Sequence, residues 1–123
     1  IANTLNAGLF VSIHHNSTTT SDKSGTETYY YAPPERPELF MQKDEREKLA
    51  TEIHKRLISN LRRIDRGVKQ SNYSVLRNTQ MPSVLCEICF ISNPEEQDLA
   101  MQKSFQELAA QAIADGILAY MGK

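Results

Sequence analysis

Two cysteines in 123 residues are too few to staple a fold with disulfides, and no second pair is present to complete a structural zinc site. No apolar run approaches the roughly 18–20 residues that cross a bilayer, which excludes a membrane-spanning helix. The first residues show no basic stretch followed by an apolar one, so export would be directed by something outside them. Charge of one sign is also missing. Lys plus Arg number 14 against 15 for Asp plus Glu, a net charge of −1. That balance lacks the basic footprint of a nucleic-acid or anionic-membrane binder. What remains is ordinary: 40% hydrophobic and 24% charged residues suit one globular domain, here residues 1–123, and exclude disorder or collagen-like repeats.

Along the chain, Ile1, Ala2 and Leu5 recur at helical spacing ahead of Gly8, which predicts the last turns of a helix cut on its N-terminal side. Leu9 to Ile13 is apolar and β-branched, a strand covered on both faces, and His14-His15-Asn16 follows it directly. Ser17 to Ser24 reads as a polar loop, and Gly25 to Tyr31 as a second strand rich in Thr and Tyr. Pro33, Pro34 and Pro37 then argue against regular structure. Leu49, Ile53, Leu57, Leu61 and Ile64 form an i, i+4 stripe that predicts a helix over 43–64, ended by Asp65-Arg66-Gly67. A short strand is expected around Ser74 to Arg77, and a central strand over Ser83 to Ile91. Asn93-Pro94-Glu95-Glu96 has the order of a capped helix start, with Glu96 where a capping box sets its carboxylate. Ser104-Phe105-Gln106-Glu107 repeats that signature and opens a helix to about Met121, facing the core through Phe105, Leu108, Ala109, Ala112, Ile113, Ile117 and Tyr120, with Gly122 past its end. Strands and helices interleave, so the expected class is α/β, a mixed or mostly parallel sheet flanked by helices and truncated at its N-terminus.

Three places invite a chemical reading. Glu87 sits inside Val-Leu-Cys-Glu-Ile-Cys-Phe-Ile, where an unpaired charge costs several kcal/mol or else takes up a proton. Two readings of it stand: a structural residue that pairs with an arginine, caps a backbone amide or lies on a solvent-facing strand, or a general base whose raised pKa lies near neutrality. His14 and His15 are adjacent on a strand, so their rings diverge and do not share one metal. His14 stands on the polar side at a strand's carboxyl end, where open α/β sheets bind ligands, and is either a metal ligand or a loop hydrogen-bonder. Ser12 and Asn16 lie on the same side as His14; they either orient its ring or serve the turn. His54, between Ile53 and Lys55-Arg56, reads as surface. Cys86 and Cys89, three apart on a strand, point to opposite faces and read as buried small apolar residues.

Four blocks occur in one order: Ser12-Ile13-His14-His15-Asn16, Arg66-Gly67-Val68-Lys69, Val75-Leu76-Arg77-Asn78, and the long run Met81 to Glu96. Together they resemble the zinc-dependent N-acetylmuramoyl-L-alanine amidases of bacterial cell walls, the type-3 amidases. Each block is weak alone, whereas four in register span essentially the whole chain. The resemblance implies a single catalytic Zn2+, held in the family by two histidines and a glutamate. His14 matches the second of those histidines and Glu87 the catalytic glutamate. The family's Gly-His-Gly-Gly block and the glutamate opening the next helix have no counterpart here, so the chain resembles the C-terminal two thirds of the catalytic domain.

The function implied is hydrolysis of the amide between N-acetylmuramic acid and L-alanine in peptidoglycan, in the cell envelope or outside the cell, with Glu87 as general base. A non-catalytic wall-binding or regulatory module, or an inactive fragment, is the alternative. Exposure of an apolar sheet edge also predicts self-association.

Overall fold

The computed structural model describes residues 2–123 and shows one four-stranded sheet with helices against it. The elements in chain order are β1 (Phe10–Asn16), β2 (Thr26–Tyr30), α1 (Pro37–Phe40), α2 (Lys43–Leu61), β3 (Asp65–Gln70), α3 (Ser74–Arg77), β4 (Ser83–Phe90), α4 (Pro94–Ala100) and α5 (Lys103–Tyr120). The strand order is β1-β4-β2-β3. β1 runs parallel to β4 and β3 parallel to β2, while β2 and β4 are antiparallel, so the sheet is mixed. β4 is buried along its whole length, as its continuous apolar run requires.

Alternation and register sort the side chains onto two faces. Cys86 lies opposite Ile13 and Thr28, whereas Glu87 lies opposite His14 and Glu27. The Cys86 face carries the core: Leu49, Ile53 and Leu57 of α2 and Phe105, Ala112 and Ile113 of α5 cluster with Val84, Cys86 and Ile88. α2 and α5 cross closely at Gly116, where an added Cβ would lie 2.6 Å from the Ile53 Cα. A side chain there would push the helices apart.

Several expectations yield to tertiary structure. Ile1 lies outside the described residues; residues 2–6 form turns rather than a helix, and the left-handed residue is Asn6 (φ 58°), not Gly8. Pro37 opens the one-turn helix α1, because proline at the first position loses no intrahelical bond. α2 stops at Leu61, where Arg62 takes the left-handed conformation (φ 56°); Ile64 is exposed, and Asp65-Arg66-Gly67 begins β3 instead of ending a helix. Ser74–Arg77 is helical, not extended. α5 starts at Lys103 with Gln102 before it and no side-chain cap, and Leu108 is exposed while Gly116 is buried.

Asn93 does cap α4, its Oδ1 accepting from the Glu96 amide at 3.1 Å. The Glu96 carboxylate does not return to Asn93. Fully buried, it accepts from the Phe90 and Gly25 amides and pairs with Arg63 Nε at 2.7 Å, tying α4 to the ends of β4 and β2. Gly25 is required there: it has φ +115°, and a Cβ would meet the Ile64 carbonyl oxygen at 2.6 Å.

Two readings of single residues are corrected. His54 is buried, not surface: its Nδ1 faces Thr28 Oγ1 at 2.9 Å and its Nε2 faces Asp65 Oδ1 at 2.7 Å. The register of β1 on β4 shifts between His14 and Asn16, so strict alternation lapses, and Cys86 and Cys89 sit in the same core rather than on opposite faces. Both remain free thiols, as expected of buried small residues.

Candidate active site

The sheet face away from α2 and α5 gathers the polar residues. His14, Glu87 and Glu27 form one row across β1, β4 and β2, directly opposite one another in register. Glu87 is 6% exposed, and its Oε2 is buried with no hydrogen-bond partner among the described residues. A native protein rarely leaves such an atom unpaired, so it marks a place where a proton, an ordered water or a substrate atom belongs. Burial, and then the charge of Glu27, push the Glu87 carboxyl up to about 7. The general-base reading requires that condition.

Glu27 is the residue that reading the sequence missed. It is 3% exposed, yet four donors surround it: Asn16 Nδ2 and the Tyr29 hydroxyl each donate to Oε1 at 2.7 Å, while Lys69 Nζ and Arg66 Nε donate to Oε2 at 2.9 and 3.2 Å. Burial works to raise its pKa, but the bonds from Lys69, Tyr29 and Arg66 outweigh it and hold the carboxyl below its ordinary value. Two neighbouring carboxyls thus have opposite environments: that of Glu27 favours the ionised form, and that of Glu87 favours the protonated form. A signal was available. Glu27 stands in Thr-Glu-Thr-Tyr-Tyr as oddly as Glu87 stands in its apolar strand.

The other candidates are placed as follows. His14 is exposed on the row, and His15 turns to the opposite face, lining an apolar hollow with Ile13, Ile88 and Phe105. Asn16 shares the row's face but bonds Glu27, not His14; Ser12 lies on that side, half-buried. Tyr73 meets Tyr29 edge to face, with centroids 5.3 Å apart, and walls the site from the segment before α3.

The sequence model of the N-acetylmuramoyl-L-alanine amidase family matches residues 1–119. The chain belongs to this amidase family. It is 39% identical over 114 residues to the N-acetylmuramoyl-L-alanine amidase LytC of Bacillus subtilis, covering 93% of this chain and 22% of LytC. YqiI of the same organism, an uncharacterized protein, is 43% identical over 114 residues, 52% of its length. Among solved structures, the catalytic domain of the amidase CwlV from Bacillus (Paenibacillus) polymyxa superposes with a TM-score of 0.85 at 37% identity, over 98% of this chain and 62% of that one. The chain therefore spans about half or less of these curated relatives and about three fifths of the solved amidase.

Zinc dependence is typical of this amidase family, and a catalytic zinc takes three protein ligands and a water. The described residues do not fit that requirement. Among them no group of three or more His, Cys, Asp or Glu side chains gathers in a metal-holding arrangement. The row offers one imidazole, His14, and both oxygens of Glu27 are engaged by the four donors named above.

Proposed function

We propose that this amidase-family chain carries the proton-transfer side of a peptidoglycan amidase site. The bond broken is the amide between the lactyl carbonyl of N-acetylmuramic acid and the nitrogen of L-alanine. Glu87 takes a proton from the attacking water as the C–O bond forms, then delivers it to the alanine nitrogen as the C–N bond breaks, leaving a carboxylic acid and a free amine. A carboxyl poised near 7 serves both steps at neutral pH. His14 is proposed as one ligand of the family's zinc, with the remaining ligands supplied by the part of the amidase fold that this chain does not span. Ser12 and Asn16 line the same face, and Asn16 acts through its bond to Glu27. The setting proposed is the bacterial envelope or the extracellular side of it.

The observation that carries this reading is the buried, unpartnered Glu87 Oε2 facing the polar side of the sheet beside His14. The test is release of new L-alanine amino termini from purified peptidoglycan. Glu87→Gln should lower release at least 100-fold without altering folding; release unchanged in that variant would remove Glu87 from the chemistry.

The lone imidazole of the row favours a second reading, a wall-binding module without turnover. Co-sedimentation with peptidoglycan without any amine release, before or after added zinc, would select it. We also propose that the chain self-associates through β1, an edge strand that carries exposed Ile13. Sedimentation velocity should show dimers that Ile13→Lys disperses, and a monomer at all concentrations would refute this.

A further inference from the structure

Arg66 and Lys69 of β3 converge on one oxygen of Glu27, so a single carboxylate faces two cations and, while Glu87 opposite holds its proton, one positive charge is left over. Both heads stay reachable, with side chains 31% and 43% exposed, while the Glu27 side chain beneath them is 4% exposed. The nearby Asp65 does not cancel the excess, because it is bonded to His54 on the other face of the sheet. Arg66 is also held in place: its guanidinium carbon lies 4.9 Å from the Phe90 ring centroid, and Nη1 reaches the Ser24 carbonyl at 3.4 Å. Among the described residues its Nη2 donates to nothing, and Lys69 spends one of three protons. A fixed guanidinium with a free edge, beside a second ammonium, is the donor set that binds a carboxylate.

Strand spacing of about 4.8 Å puts β3, two strands away, about 10 Å from Glu87. An extended peptide advances about 3.5 Å per residue, so the second residue of a stem whose alanine amide lies at Glu87 is about 7 Å along. The two long side chains close the remainder. In peptidoglycan that second residue is a glutamate linked onward through its side chain, which leaves its α-carboxyl free or amidated.

Resting on the amidase reading above, we propose that Arg66 and Lys69 form a subsite for the free α-carboxylate of the second stem-peptide residue. The subsite selects carboxylate over carboxamide stems. Calorimetry with N-acetylmuramyl-L-alanyl-D-glutamate and with its D-isoglutamine counterpart tests this, since the two differ only at that group. The carboxylate form should bind about 10-fold tighter, the order of difference expected between hydrogen bonds to a charged and to a neutral acceptor. Lys69→Gln and Arg66→Gln should each erase the preference, and Lys69→Arg should keep it, which separates charge recognition from loss of folding. Equal affinities for the two ligands, or a preference that persists in both Gln variants, would overturn the subsite and leave the amidase reading intact. Binding of neither ligand would overturn both.

Discussion

Glu87 should make the fold less stable as pH rises, and Glu87→Gln should remove that loss. The carboxyl has a pKa of 4.5 in a solvated chain and about 7 in the folded protein. Below 4.5 both states hold the proton and the group contributes nothing to pH dependence. Between 4.5 and 7 the folded state keeps a proton that the unfolded state has released, so raising the pH weakens folding; above 7 the loss is complete. One pKa unit is about 1.4 kcal/mol, and with solvent screening on the open face of the sheet the full loss is about 2–3 kcal/mol. Glutamine keeps the shape, carries no charge, and can donate toward ionised Glu27. Urea unfolding of both proteins at pH 4.5 and pH 8 isolates the effect to the Glu27–Glu87 pair, because titrations elsewhere cancel in the difference. The variant should be nearly equal to the parent at pH 4.5 and about 2–3 kcal/mol more stable at pH 8. A difference that does not change with pH would refute the account of Glu87 as a carboxyl held protonated by its surroundings.

Three further outcomes follow from the packing. Arg46 is fully buried and donates to Gln42 Oε1, Ser83 Oγ and the carbonyls of Leu76, Thr79 and Met81, pinning α2 to the segment before β4. Arg46→Met should cost about 3 kcal/mol in urea unfolding, since it orphans buried acceptors; a loss under about 1 kcal/mol would contradict the clamp. Gly116→Ala should lower the melting temperature despite alanine's helix propensity of about 1 kcal/mol over glycine, because its Cβ would press on the Ile53 backbone; a stabilised variant would show that α2 and α5 are not in contact there. Burial pushes the Cys86 thiol up to about 12 and the Cys89 thiol up to about 11, so neither should react with a thiol reagent at pH 8 until denaturant unfolds the chain, and prompt labelling would contradict their burial.

The elements legible in the sequence are those that bury an apolar pattern of their own. β4 is apolar but for Ser83 and Glu87 because strands and helices cover it, and α2 and α5 show the 3.6-residue stripe of one buried face. β3 escapes notice because Asp-Arg-Gly-Val-Lys-Gln is an edge strand whose side chains serve neighbours: Asp65 pairs with His54, and Arg66 and Lys69 pair with Glu27. α2 buries more than its leucines declare. Arg46, Ala50 and His54 form a second i, i+4 row, and two of the three are polar, so a count of apolar positions assigns His54 to solvent. α3 is a single turn whose form depends on what packs around it rather than on periodicity.

The same division governs the site. Glu87 could be found from sequence because it violates its own strand, a charge among apolar residues. Its pKa could not, because that depends first on burial in the folded sheet and then on Glu27, 60 positions earlier, being brought opposite by the antiparallel pairing of β2 and β4. Glu27 in turn is ionised only because β3 delivers two cations and β1 delivers Asn16 to the same carboxylate. All four strands therefore contribute to the surroundings of the Glu27 and Glu87 carboxyls. If Lys69 and Arg66 were both neutralised, Glu27 would lose the donors that hold it charged and would compete for that proton. The pair would then titrate as a coupled unit over a broader range. The two cations thus have a use in the free protein, holding Glu27 toward its ionised form opposite Glu87, as well as the use in substrate recognition proposed for them. Substrate carboxylate drawn to Arg66 and Lys69 would share donors with Glu27, coupling occupancy of the subsite to the readiness of Glu87 to accept a proton.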